Sequence, residues 1–295
     1  MYQNFLCGAF LLSQKNEQAK KLAMKRSQLV TIYKDTINHG RRYGGRFDQS
    51  TSYEPSDLPD WDDITAEPSK KGSGRGLPTY TPKVTVVNAD TLTTARDSQD
   101  DDSEAKILVL IMASEHCPGG GVGKGSEAQE EAIFRCTNMF HCSNKAFYPL
   151  EPEHFVVTEG VTVFKDEDHG LLKEPAEFDF ISMPAVRKPG LIEGTYMDDS
   201  EAESMKRRID LIFRYAALES YDTLILGALG CGAFGNPVKD VAHMFSEAIA
   251  EHGGYFKKIV FAVLSSEKNK NYQVFTEVLV EGQLAVQEAS SSDDD

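Results

Sequence analysis

No apolar stretch in this sequence approaches the about 18 residues that a membrane-crossing helix needs, so a membrane protein is not expected. The apolar patch from Phe5 to Leu12 has no basic residue before it and no small-residue cleavage site, which argues against a secretory leader. Cysteines are few and odd in number (Cys7, Cys117, Cys136, Cys142 and Cys231) and lack framework spacing. That fits a reducing compartment, so an intracellular location is expected, cytoplasmic with the nucleus also open. Neither C-x-x-C nor H-x-x-x-H spacing accompanies His116, Cys117, Cys136, His141 or Cys142, so no metal is expected. Net positive charge is missing too. At −15 the chain is a poor partner for duplex nucleic acid, which is bound by clustered Lys and Arg. A phosphorylated ligand would have to be gripped locally, by backbone amides and a few cations.

What is present is an alternation of strands and helices. Residues 20–39 carry Leu22, Leu29, Ile32, Tyr33 and Ile37 on one approximate helical face, with Gly40 as a stop. Residues 48–80, rich in Pro, Gly and charge, read as a flexible surface insertion, with Trp61 as a possible anchor. Val84 to Asn88 reads as a strand and Asp100 to Glu104 as a charged loop. The unbroken apolar run Ala105 to Met112 suits a strand buried on both faces. A helix is expected from Ser126 to Asn138, and a hairpin-like excursion between 155 and 185 turning at Asp168 to Gly170. Helix Glu201–Ser220, strand Thr223–Ala228, a helix opened by Asn236-Pro237 and ended by Gly253-Gly254, and strand Ile259–Leu264 complete the pattern. Such alternation implies right-handed crossovers and a largely parallel sheet.

Two glycine loops stand at strand-to-helix junctions. The first runs from Pro118 to Gly125 and contains Gly119, Gly120, Gly121 and Val122. The second spans Gly230, Cys231, Gly232, Ala233, Phe234, Gly235 and Asn236. Open α/β sheets bind ligands at the carboxyl ends of their strands. Glycine lets backbone approach a ligand closely, and a following helix N-terminus offers amides to phosphate. A diphosphate held between the loops is one reading; two tight turns is the other. The first loop fails the P-loop pattern. The second matches G-x-G-x-x-G (Gly230, Gly232, Gly235), but no acidic residue closes the next strand at dinucleotide spacing.

Beside the first loop stands Gln129-Glu130-Glu131. Ser126 with Gln129 three residues on forms a capping-box pattern, which puts these residues in the first turns of a helix. Consecutive helical residues diverge by roughly 100°, so Glu130 and Glu131 cannot flank one bond as the carboxylates of ordinary glycosidases do. A single carboxyl can still protonate a leaving oxygen and then take a proton from water. An Arg135 partner for Glu131 at i+4 is expected. The alternative is that acidic residues are simply favoured in a first turn.

The run PGGGVGKGSEAQEEAIFRCT resembles the GGG…QEE signature of microbial-type poly(ADP-ribose) glycohydrolases. VTVVNADTL, ILVLIMAS and LGALGCGAFGNPVKDVA are similar to other segments of that family. The resemblance covers roughly residues 20 to 265. It implies a macrodomain-like three-layer α/β/α sandwich with a mixed, largely parallel central sheet and N-terminal accessory helices. With the insertion (48–80) and a disordered acidic tail (286–295), which lie outside the resemblance and are read from composition, the expected division is a helical extension (1–47) packed on the catalytic domain and the catalytic domain itself (81–285). The resemblance further implies exo-cleavage of ribose–ribose O-glycosidic bonds without cofactor or metal, on poly(ADP-ribose) or ADP-ribosylated protein; a monomer is expected. Carried over by motif, Glu131 is the acid/base and Glu130 and Gln129 position ribose hydroxyls. Gly119, Gly120, Gly121 and Val122 line the distal ribose and diphosphate. Gly230 to Asn236 cradle the diphosphate with Phe234 against the nucleotide, and Asn88 and Asp90 stand at the adenine end. A non-catalytic ADP-ribose reader, motivated by Ile111 and the insertion, and an NAD(P)-dependent oxidoreductase are the alternatives.

Overall fold

The computed structural model describes residues 24–66, 80–265 and 270–281. The expectations for Leu22, for residues 67–79 and for the acidic tail fall outside these residues. A seven-stranded sheet runs in the order β1(Ser50–Tyr53), β4(Phe155–Lys165), β5(Leu171–Pro184), β3(Ile107–Ala113), β8(Thr223–Leu226), β9(Lys258–Ala262), β2(Lys83–Val87). The five strands from β5 to β2 are parallel, whereas β1–β4 and β4–β5 pair antiparallel. Strand side chains alternate between faces. In β3, Leu108 and Leu110 therefore enter one core while Val109 and Ile111 enter the other.

One face is covered by α2(Trp61–Ala66), α6(Asp199–Leu218), α7(Val238–His252) and α8(Asn271–Thr276). The other is covered by α1 (residues 24–40), α3(Thr91–Asp101), α4(Gln129–Cys136) and α5(Met139–Cys142). A small hairpin, β6(Leu191–Ile192) with β7(Thr195–Tyr196), lies outside the main sheet. This is the expected three-layer α/β/α sandwich. Among the described residues no helix is long and apolar enough to cross a membrane.

Several local expectations change. Asp100 and Asp101 end helix α3 instead of lying in a loop. That helix buries Thr91, Leu92, Thr94, Ala95 and Ser98, mostly small or hydroxylated side chains that leave no apolar period to read. Residues 155–185 turn between 166 and 170 as an antiparallel pair, as expected, but the two strands are long and belong to the main sheet, because β5 pairs on its other edge with β3. Ser50–Tyr53, inside the segment expected as a surface insertion, is the sheet's edge strand, its Ser50 Oγ bonded to Cys142 O at 2.8 Å. On α1 the buried line is Leu29, Tyr33, Thr36 and Gly40, with Ile37 packed partly buried beside it as expected and Thr36 taking a buried place in a face expected to be apolar. Gly40, packed near Asn138, ends the α-helix as expected, and the chain continues as a 3-10 turn to Gly44 at φ +71°.

Trp61 stacks on His252 at 3.7 Å and donates its indole N–H to Asp210 Oδ1 at 2.7 Å, fastening α2 to α6 and α7. We expect Trp61→Ala to lower stability by about 1–3 kcal/mol through lost ring packing and a lost hydrogen bond. Denaturant unfolding measures this. An unchanged midpoint would mean that α2 contributes nothing to the folded body.

Candidate active site

The first glycine loop leaves β3 and returns into α4, and side chains of that helix's first turn hold it. Gln129 accepts the N–H of Met112 at 2.9 Å and donates to Leu110 O at 2.7 Å. Pairing of β3 with β8 ends at Val109–Ile225, so this amide takes over as the partner of β3 where β8 has diverged. The helix begins at Gln129 with Ala128 as N-cap. The capping box from Ser126 is absent because the Gln129 side chain is engaged on the strand.

Glu130, 4% exposed, accepts from Ser114 N at 2.8 Å with one oxygen and from Gly119 N at 2.9 Å with the other. Burial pushes its carboxyl up to about 8, against the pull of those two N–H groups and with Glu131 and Glu115 adding to the rise. Glu131 is 7% exposed. Its Oε1 accepts from Gly121 N at 2.9 Å, while its Oε2 is buried without a hydrogen-bond partner. A Cβ on Gly120, whose φ is +49°, would fall 2.9 Å from Glu131 Oε1 and 3.0 Å from Glu130 Oε2. Glycine is required there on both counts.

The N–H groups of this loop are largely used within it: Gly119 and Gly121 on the two glutamates, Gly120 on Cys117 O and Val122 on Gly119 O. The Val122 side chain is 4% exposed and part of the core. Neither Val122 nor these amides is presented to a diphosphate in this conformation.

The second loop differs. Its turn is closed by Cys231 N to Ala228 O, Gly235 N to Gly232 O and Asn236 N to Gly230 O, with Gly230 and Gly235 at φ +74° and +73°. Among the described residues, the N–H groups of Gly232, Ala233 and Phe234 have no protein acceptor. Successive free amides of this kind make an anion-binding concavity. Asn236 is buried and stitches the loop together, donating to Val186 O at 2.7 Å and Gly230 O at 3.1 Å while accepting from Tyr196 Oη at 2.7 Å. Burial pushes the Cys231 thiol up to about 12, which keeps it a neutral thiol rather than a nucleophilic thiolate.

Of the other expected residues, Asp90 borders the first loop's helix, since Gln129 Nε2 donates to the hydroxyl of neighbouring Thr91 at 3.3 Å. Asn88 and Asp90 follow β2 at the far edge of the sheet. Asn88 accepts from Ser265 N at 2.9 Å, and Asp90 caps α3 through Leu92 N at 2.8 Å. Burial, which outweighs the capping N–H groups, raises the Asp90 carboxyl above its ordinary value. Arg135 does not ion-pair with Glu131; it donates to Ser126 O at 2.7 Å, and burial lowers its pKa. Ile111 is wholly buried among the core residues packed on α4, so its apolar character leaves the cleft unaltered. Among the described residues, no group of three or more His, Cys, Asp or Glu side chains is placed to hold a metal.

Arg187 is a site residue that sequence reasoning missed. It donates to Glu115 Oε1 at 2.8 Å, lies 2.6 Å from His116 Nε2 and sits 5.6 Å from the centre of the Phe234 ring. It thus clasps the two loops together. Burial raises the Glu115 carboxyl, but the Arg187 hydrogen bond and nearby positive charge outweigh it and hold the group below its usual range. No short motif signals a contact across 72 residues.

A mixed α/β/α sandwich with glycine loops after two adjacent parallel strands, one loop gripping a pair of glutamates, defines a macrodomain-like protein. The family profile for the microbial-type PARG catalytic domain matches residues 19–166, and the chain belongs to that family of hydrolases acting on poly(ADP-ribose). The match includes Gln129–Glu131 and ends before β5, so the second loop lies beyond it. Poly(ADP-ribose) glycohydrolase from Thermomonospora curvata bound to the inhibitor ADP-HPD superimposes with a TM-score of 0.71 at 23% identity, covering 85% of this chain and 99% of that one. The enzyme from Deinococcus radiodurans in complex with ADP-ribose gives 0.66 at 21%, over 80% and 96%. These likenesses establish the fold. No curated protein matches. Family membership displaces the oxidoreductase reading.

Glu130 generates a prediction with a definite sign. Its folded pKa of about 8 lies above the ordinary 4.5, so the folded chain keeps a proton that the unfolded chain releases. The stability tied to this group is complete below about 4.5, declines as pH rises and is gone above about 8, with a slope of at most about 1.4 kcal/mol per pH unit. Melting curves from pH 5 to 9 should show that decline in the wild type and lose it in Glu130→Gln. The variant should also be about 1–3 kcal/mol less stable at low pH, because an amide NH₂ faces one of the two N–H donors. Identical slopes in both proteins would remove the assignment.

Proposed function

We propose that this chain releases ADP-ribose from poly(ADP-ribose) by hydrolysing the ribose–ribose O-glycosidic bond, with Glu131 as general acid and base. The observation that carries the reading is the Glu131 carboxyl itself. One oxygen is fixed by Gly121 N–H, and the other is buried and unpartnered beside the loop. A buried carboxyl oxygen with no partner is costly, and a hydrogen-bonding substrate atom would satisfy it. In the proposed reaction the Glu131 carboxyl gives its proton to the departing ribose oxygen as the C–O bond breaks. Water then adds to the anomeric carbon and returns a proton to the same carboxylate. The distal ribose would lie over Gly120, beside the two carboxylates, and the diphosphate on the amides of Gly232, Ala233 and Phe234. Glu130 acts by shaping the loop; its two oxygens are occupied by backbone, which leaves ribose positioning to the loop and to Glu131. Asn88 and Asp90 remain the candidates for the adenine end.

Glu131→Gln keeps one oxygen for the Gly121 N–H and removes the acid and base function of the carboxyl. Turnover of labelled polymer should fall by about 10²–10⁴-fold, while calorimetry still registers ADP-ribose binding. Undiminished turnover in the variant would overturn the catalytic assignment. Binding by a wild-type protein that releases no ADP-ribose would make it a reader.

A further inference from the structure

A cavity of about 350 Å³ lies beside the proposed cleft, at the carboxyl end of β5, and the reaction described above makes no use of it. It adjoins both glycine loops. Glu115 in its wall follows Ser114, whose N–H holds Glu130. Val186, also in the wall, accepts from Asn236, and a Cβ on Gly230 would fall 2.5 Å from that of Ala185.

Its floor holds an arginine short of partners. Arg208, on α6, is 7% exposed; its Nη1 donates to Pro184 O at 3.3 Å, while its Nε is buried with no acceptor. Among the described residues no carboxylate is ion-paired with it. The carboxylate of Glu201 nearby is engaged by Gly190 N–H at 3.0 Å. Glu153, the carboxylate that acts most on the Arg208 charge, is bonded to Arg207 at 2.8 Å, so the buried guanidinium is only partly compensated, at a cost that an incoming anion relieves. The first turn of α6 brings its N-terminal dipole to the same cavity through Ser200. Across from the cation, Glu115 Oε2 is buried and unpartnered, its other oxygen held by Arg187. That oxygen lacks a donor, as Arg208 Nε lacks an acceptor.

One group supplies both. We propose that this cavity is a second subsite, which takes the phosphorylated ribose of the ADP-ribose unit on the leaving side of the scissile bond, with phosphate on Arg208 and a ribose hydroxyl donating to Glu115 Oε2. The inference rests on the function proposed above, but its test does not.

With ADP-ribose present at saturation to occupy the first site, AMP is titrated into the protein by calorimetry. AMP should bind at one further site, and Arg208→Gln should weaken it by about 10–100-fold, as expected for loss of a charge-assisted hydrogen bond. Ser200→Glu, an exposed change at the helix start that spares the core, should weaken AMP similarly by adding negative charge. No AMP binding in the presence of ADP-ribose would overturn the subsite, whether or not the protein hydrolyses polymer. Inorganic phosphate displacing AMP with equal affinity would make it a free-phosphate site and overturn the assignment to a polymer unit. In hydrolysis of an ADP-ribose dimer, Arg208→Gln should raise KM by a similar factor. An unchanged KM would sever the cavity from the reaction, and a wild type that cleaves no dimer would sink the proposed function while the AMP result still decides the subsite.

Discussion

Two backbone N–H groups, those of Ser114 and Gly119, converge on the two oxygens of the buried Glu130 carboxyl, and the site is arranged around that clamp. It fixes both ends of a tight excursion at the end of β3. The excursion then carries Gly121 N–H onto Glu131 and leaves Gly120 where any Cβ would strike both carboxylates. A buried carboxyl is costly unless hydrogen-bonded, and here the bonds that stabilise it are the same ones that shape the loop. Folding energetics and site geometry are one feature.

The two loops divide their labour by what becomes of their amides. The first uses its N–H groups on the protein's own carboxylates and carbonyls, so it presents an acid and little positive potential. The second closes its turn with Cys231, Gly235 and Asn236 and leaves three successive amides free. Neighbouring strands stand about 4.8 Å apart, and β3 pairs directly with β8. A loop that holds two glutamates and a loop with three free amides therefore stand side by side, with Arg187 reaching from Glu115 and His116 to Phe234 across them.

Behind α4 the first helix acts as a buttress. Thr36 donates to Arg135 O at 2.6 Å at the end of α4, and the buried Lys165 reaches both Thr36 at 2.9 Å and Asp35 at 2.8 Å. His141 lies 2.8 Å from Ile37 O. These contacts explain why a helix far from the glycine loops in sequence belongs to the same body. They hold the far end of the short helix whose first turn carries Gln129, Glu130 and Glu131.

Much of this was legible in the residue order. Ile107–Ala113 could only be a strand buried on both faces, two glycine loops at strand ends marked the cleft, and QEE after GGG marked the carboxylates. Less was legible where the signal is not periodic. Helix α3 buries threonines and an alanine, the edge strand Ser50–Tyr53 hides in a stretch of turn-forming composition, and Ser126 looked like a cap although Gln129 serves β3.

Composition and local pattern settle most of the segments that form strands and helices, because propensity and burial are read over a few residues. Partner choice is different. That Glu130 takes Ser114 and Gly119, that Glu131 keeps one oxygen unpartnered, that Arg135 turns to Ser126, and that Arg187 and Arg208 meet the site at all, depends on which atoms the sheet order brings within hydrogen-bond reach. Those distances exist only once strands remote in sequence lie side by side.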